Sequence, residues 1–238
     1  MFKSSITVLA MLAAPLAFAQ VIQRDMGDFS LKLGTTPSRS MAQGLVAPSA
    51  SGSFHGGLDI THDSGWYMGQ YAPSMGLSET DTLQLDSYIG YKHPFDSNLG
   101  YELGMINYSY PNEDTADAHE VYAGLRMLDT RFGAAFSDST SATSSTLFAD
   151  LGSVPVLDLG FSMKVTNYQL TTPYTIGEGS QISSFSDWSM QLSRPWLGID
   201  LNLIYSDSNL RGADCAAYSG HNTECDSVFT LKAERSFY

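Results

Sequence analysis

The chain has 238 residues and a formal net charge of −13, with 43% hydrophobic and only 16% charged residues. Such acidity excludes binding to nucleic acid or to an anionic surface through simple electrostatics. A charged share well under the usual ~25% fits a soluble core or a membrane barrel, and composition alone does not choose between them.

The first segment, MFKSSITVLAMLAAPLAFA, has a basic start at Lys3, an apolar run from Ile6 to Leu16, and Ala17-Phe18-Ala19 ahead of Gln20. That layout predicts a signal peptide over residues 1–19 and an exported domain over 20–238. The run is too short for a spanning helix, which needs about 20 residues.

From residue 29 onward, stretches of about ten residues with period-two alternation are separated by turn residues. Twelve strands are expected, at 28–36, 51–61, 66–72, 83–92, 99–110, 118–128, 130–137, 144–151, 157–168, 184–193, 196–206 and 226–238. In one, Leu157, Leu159, Phe161, Met163 and Val165 alternate with Asp158, Gly160, Ser162, Lys164 and Thr166. A half-buried strand of a soluble sandwich would alternate in the same way, so the connections decide. Long polar segments (37–50, 73–82, 111–117, 138–143, 169–183, 207–225) take turns with short ones (62–65, 93–98, Asp129, 152–156, 194–195). Long outer loops alternating with tight periplasmic turns are the pattern of a transmembrane antiparallel up-and-down β-barrel. Trp66 and Trp196 follow short turns, and the chain stops on Phe237 and Tyr238. Rings at those positions suit a periplasmic girdle at headgroup level, and the last strand is expected to pair with the first.

The only two cysteines, Cys215 and Cys225, lie ten apart in an exported chain. A disulfide stapling one loop is the expectation, since a zinc site would want ligands beyond nearby His221. No metal, cofactor or phosphate-cradling motif is predicted.

Several segments resemble a known family. GGLDITHDSGWYMGQYAPSM (56–75), YSYP (108–111), HEVYAGLRM (119–127), SDWSMQLSRP (186–195) and VFTLKAERSF (228–237) are similar to proteobacterial proteins catalogued as TorF-type porins, also called Gcw-type proteins of unknown function. The resemblance implies an outer-membrane barrel, porin-like passage, and a cysteine pair before the last strand. Family chains usually end on the phenylalanine, so Tyr238 reads as an addition. The segments 111–119 and 169–183 are individual to this chain. The C-terminal strand is similar to the signal read by the barrel-assembly machinery, which, with outer-membrane lipids, is an expected partner.

If the apolar parity meets lipid, the other parity lines a lumen. It carries Lys32, His55, Asp59, Asp86, Lys92, Glu120, Arg126, Arg131, Asp150, Asp158, Lys164, Asp187, Asp200, Lys232 and Glu234. The faces of Tyr67, Tyr71 and Glu102 stay open, because aromatics fall on both parities there. Two readings of the interior compete: a hydrated conduit for small polar solutes favouring cations or zwitterions, and a plug of ion pairs in a structural or adhesive barrel. Twelve strands lie between the filled interior of eight and the open channel of sixteen. The rival class is a lipid-acting enzyme, for which His119 is expected outward, with Ser109 and Asn107 across the hairpin and Ser109 roughly opposing it. His62-Asp63-Ser64 satisfies turn chemistry rather than catalysis. The acidic runs 112–117 and 78–81 read as solvated loop charge.

Overall fold

In the computed structural model, the described residues are 22–34, 56–74, 83–111, 117–154, 158–176, 181–197, 199–220 and 225–234. They form one all-β, antiparallel up-and-down sheet of barrel type. Its strands are β1 (Ile22–Met26), β2 (Phe29–Gly34), β3 (Gly56–His62), β4 (Trp66–Ser74), β5 (Gln84–Pro94), β6 (Leu99–Ser109), β7 (Ala118–Met127), β8 (Thr130–Ser139), β9 (Ala142–Val154), β10 (Leu159–Thr175), β11 (Gln181–Trp196), β12 (Ile199–Ser208) and β13 (Val228–Glu234). Each strand pairs with its neighbour in sequence.

The twelve expected strands correspond in order to β2–β13, and β1 is additional. It pairs with β2 through Ile22↔Leu33 and Met26↔Phe29, so the edge of β2 expected to meet the last strand is occupied. Among the described residues no ladder joins β13 to β1 or β2. The signal segment, His55, Phe237 and Tyr238 lie outside the described residues.

Three expected connections differ. The long segment 138–143 is a two-residue turn at 140–141, because Ser139 closes it by donating to the Ala142 carbonyl at 2.8 Å and accepting from the Ala142 amide at 3.2 Å. The expected loop 169–183 is mostly ladder: β10 and β11 continue past a register shift to pair Tyr174↔Ile182 and Thr175↔Gln181. Trp196 ends β11 opposite Ile199 instead of opening a strand, although it remains at the short-turn end with Trp66. The HDSG turn behaves as its composition requires. His62 Nδ1 accepts from the Ser64 amide at 3.1 Å, and Gly65 sits at φ +102° against the Lys92 carbonyl, where a Cβ has no room.

The two faces of this sheet are inverted relative to a soluble protein. Side chains of one parity are enclosed and rich in polar groups, among them Asp59, Asp86, Glu102, Glu120, Thr166 and Asp187. The other parity is open and apolar: Leu58, Met68, Leu103, Met105, Val121, Leu125, Phe132, Phe136, Leu147, Leu192, Leu203, Phe229 and Leu231 are all exposed. Among the described residues there is one sheet, so burial as complete as that of Tyr71 (0% exposed) and Asp86 (1%) means the sheet curls over its own face. Leaving so many large side chains in water would forgo roughly 1.5–3 kcal/mol each, on the order of tens of kcal/mol in all. The open face is therefore matched to hydrocarbon.

Candidate functional site

The enclosed face is the candidate site, and glycines shape its wall. The ladder of β4–β7 aligns Tyr67, Gly90, Gly104 and Tyr122 across four strands, and beside it Gly69, Tyr88, Ile106 and Glu120. Each tyrosine lies flat across a neighbouring strand, over a glycine. A Cβ at Gly90 would overlap the Tyr67 hydroxyl, one at Gly69 the Tyr88 hydroxyl, and one at Gly104 the Tyr122 hydroxyl. Phe148 covers Gly133 in the same manner.

Laid this way, the rings reach acids two strands distant. Tyr67 on β4 donates to Glu102 Oε1 on β6, and its hydroxyl also meets that of Tyr122 on β7. Tyr88 on β5 donates to Asp59 Oδ2 on β3 at 2.7 Å, and Thr61 donates to Asp59 Oδ1 at 3.1 Å. Tyr108 donates to Glu120 Oε1 at 3.3 Å, and Gln84 donates to Asp86 Oδ1 at 2.8 Å. Buried carboxylates are held by hydroxyl and amide donors here, which stabilises them where a bare charge would cost several kcal/mol.

Lys164 on β10 lies within electrostatic reach of Glu120 and Asp187. Lys92 is opposite Glu102 in register. Toward the short-turn end, Arg131 pairs with Asp150, both partly exposed, and Arg126 donates to the Ser97 carbonyl at 3.3 Å. Lys32, Asp200, Lys232 and Glu234 fall on the same ladder parity. Asp158 departs from its expected place. It sits in the turn ahead of β10 with φ +50° and is exposed, because the turn needs a left-handed residue and aspartate tolerates one.

Sequence reasoning left Tyr67, Tyr71 and Glu102 unassigned; all three are enclosed. The available signal was a glycine one strand over from each tyrosine, Gly90 for Tyr67 and Gly57 for Tyr71.

A second cluster closes part of the same face. The connection from β12 to β13 contains a 3-10 helix, Gly212–Ala217, and the disulfide Cys215–Cys225, with Cα atoms 5.5 Å apart. A staple of this kind typically contributes 2–4 kcal/mol, roughly, by restricting the unfolded chain. Joined to each other, the two sulfurs are not thiolate ligands. Leu210 and Cys225 pack on Tyr168 and Phe185, whose rings stack at 4.6 Å, and Tyr218 packs against Phe185 at 5.5 Å. Tyr218 donates to Asp187 Oδ2 at 3.0 Å. Phe185, Asp187 and Tyr168 belong to the enclosed parity, so this connection folds inward over the wall.

On the open face, rings gather at the short-turn end. Trp66 meets Tyr91 at 5.2 Å, His93 meets Phe95 at 5.5 Å, Phe95 meets Tyr101 at 5.4 Å, and Phe29 meets His62 at 4.5 Å. Toward the other end a polar row runs Gln70, Ser87, Asn107, His119, Asp138 in direct register. Below it lies an apolar groove of about 490 Å³ floored by Leu58, Met68, Ile89 and Met105. Asn107, not Ser109, stands opposite His119, so the expected serine–histidine opposition is not formed.

No curated protein matches the chain. A solved structure described as the NanC porin is 13% identical with a TM-score of 0.47, over 79% of this chain and 95% of that one. A family model described as a bacterial protein of unknown function, Gcw_chp, matches residues 42–237. With most of its length in that match, this inside-out, tyrosine-lined β-sheet protein belongs to the Gcw_chp family.

Proposed function

We propose that this chain is an outer-membrane β-barrel of the TorF-type porins, exported through a cleaved signal peptide and passing small polar solutes through a narrow, mixed-charge lumen. The observation that carries this reading is the inversion of the two faces: buried, hydrogen-bonded acids inside and a continuous exposed apolar surface outside. Rings laid flat over glycines keep the wall low, and the acids and hydroxyls among them suit a lumen for polar solutes. Acids outnumber bases among the enclosed residues of β3–β7, favouring cations. The open face meets outer-membrane lipid, with the Trp66–Tyr91 cluster at the periplasmic headgroups. The C-terminal strand engages the barrel-assembly machinery. This reading takes the chain as a conduit and not an enzyme; Asn107, not Ser109, stands opposite His119.

A second reading, a structural or adhesive barrel with an occluded lumen, draws support from the inward-folded connection before β13. Purified protein in a planar lipid bilayer separates the two. The conduit gives discrete openings with cation preference; silence at all voltages supports the occluded barrel.

A further inference from the structure

We infer that the stapled connection before the last strand, Leu210–Gly220 tied back through Cys215 to Cys225, is the constriction of the conduit, and that its disulfide holds it closed over Asp187. This rests on the conduit reading above and adds an element to it.

The geometry is specific. A chain segment leaving the rim of a sheet ordinarily runs into solvent, but this one buries Leu210 and Cys225 against the enclosed face. Three independent contacts hold it there. Leu210 and Cys225 pack on Tyr168 and Phe185. Tyr218 reaches Asp187 Oδ2 by a 3.0 Å hydrogen bond, which joins the segment to a carboxylate in the middle of β11. Gly220 passes so close that a Cβ would overlap Asp187 Oδ2 and stand 2.5 Å from the Tyr218 hydroxyl. Asp187 also lies within electrostatic reach of Lys164. A cation entering from this end therefore meets Asp187 beneath Tyr218, at the point where the segment narrows the bore.

The disulfide fixes the position because Cys225 begins the approach to β13 while Cys215 lies within the 3-10 helix. Without the bond, Leu210, Tyr218 and Gly220 still meet the wall, and Arg211 still pairs with Asp207 at the end of β12. Reduction by a dithiol transfers two electrons and two protons to the disulfide, giving two cysteine thiols, and the dithiol closes to its own cyclic disulfide. The freed segment is then no longer tied to Cys225 at the approach to β13.

The test uses the full-length purified protein with two readouts. In a planar bilayer, dithiothreitol should raise unitary conductance, and reoxidation should reverse the rise. In detergent micelles, trypsin cleavage after Arg211, on the exposed flank of the segment, should accelerate on reduction. Gly220→Val should reproduce both effects without reductant, since its side chain cannot lie against Asp187; this variant keeps the test informative where cysteine variants fail to fold. Equal conductance and equal cleavage in oxidised, reduced and Gly220→Val protein would overturn the inference. Faster cleavage with no openings in any state would instead overturn the conduit reading and leave the redox release of the segment standing.

Discussion

Gly90→Ala is the substitution that most directly probes the flat-ring wall. In an ordinary strand, replacing glycine by alanine stabilises the fold by roughly 0.5–1 kcal/mol, because less backbone entropy is lost. Here the new Cβ would overlap the hydroxyl and Cζ of Tyr67 and lie 2.9 Å from the Leu103 carbonyl. The ring must swing away, which removes the hydrogen bond it donates to buried Glu102. Losing a buried bond to a charged group, with an off-rotamer ring, costs about 2–4 kcal/mol. The sign of the effect is thus opposite to the usual one. Urea unfolding in detergent micelles, followed by heat-modifiable gel migration, reads the change. In a Tyr67→Ala background the ring is gone and the cost of Gly90→Ala should fall below about 1 kcal/mol, leaving only the approach to Leu103. A Gly90→Ala protein more stable than the parent, or a cost unchanged without Tyr67, would refute the reasoning.

Leu147→Arg places a charge on the open face at the middle of β9, where the side chain is 65% exposed. A membrane barrel should lose about 2–4 kcal/mol and insert poorly into vesicles, whereas a water-soluble sheet would accept the change. Arg131→Ala breaks the ion pair with Asp150, whose partners are 44% and 31% exposed, so its cost should stay within about 1 kcal/mol in the same urea assay. Phe237 shares the parity of Phe229, Leu231 and Ala233, and Tyr238 does not. Phe237→Ala should therefore slow assembly into the membrane more than deletion of Tyr238, measured by heat-modifiable migration after expression; the reverse ranking would undo the register.

The strand order was legible because the lipid-facing parity is so uniform. Leu159, Phe161, Met163 and Val165 alone fix the face of β10, and the shared turn pattern extends the same inference to its neighbours. What escaped was written in residues that carry both meanings. Tyr67 and Tyr71 count as apolar in an alternation argument, yet Tyr67 serves as a hydroxyl donor to an acid on the inner wall, and Tyr71 is fully enclosed. The upper parts of β10 and β11 hold Thr171, Thr172, Pro173 and Ser183, so polarity and a proline suggest a loop where backbone pairing continues. β1, Ile22–Met26, is too short and mixed for period two to register, and only the turn at Gly27 (φ +66°) and Asp28 gives it a hairpin. Asp158 was assigned inward by parity, but parity holds only inside a ladder and the ladder begins one residue later.

The extra strand gives the sheet a seam unlike its other joints. In strict up-and-down order β1 and β13 point the same way, whereas β2 and β13 point oppositely. Closing the ring through β1 demands a single parallel ladder among antiparallel ones, with slanted and slightly weaker bonds. Closing it through β2 keeps every ladder antiparallel but requires Ile22–Met26 to leave. As long as β1 stays paired, those five residues shield the amides and carbonyls of β2 from foreign strands, so the hairpin acts as a cap on an otherwise adhesive edge.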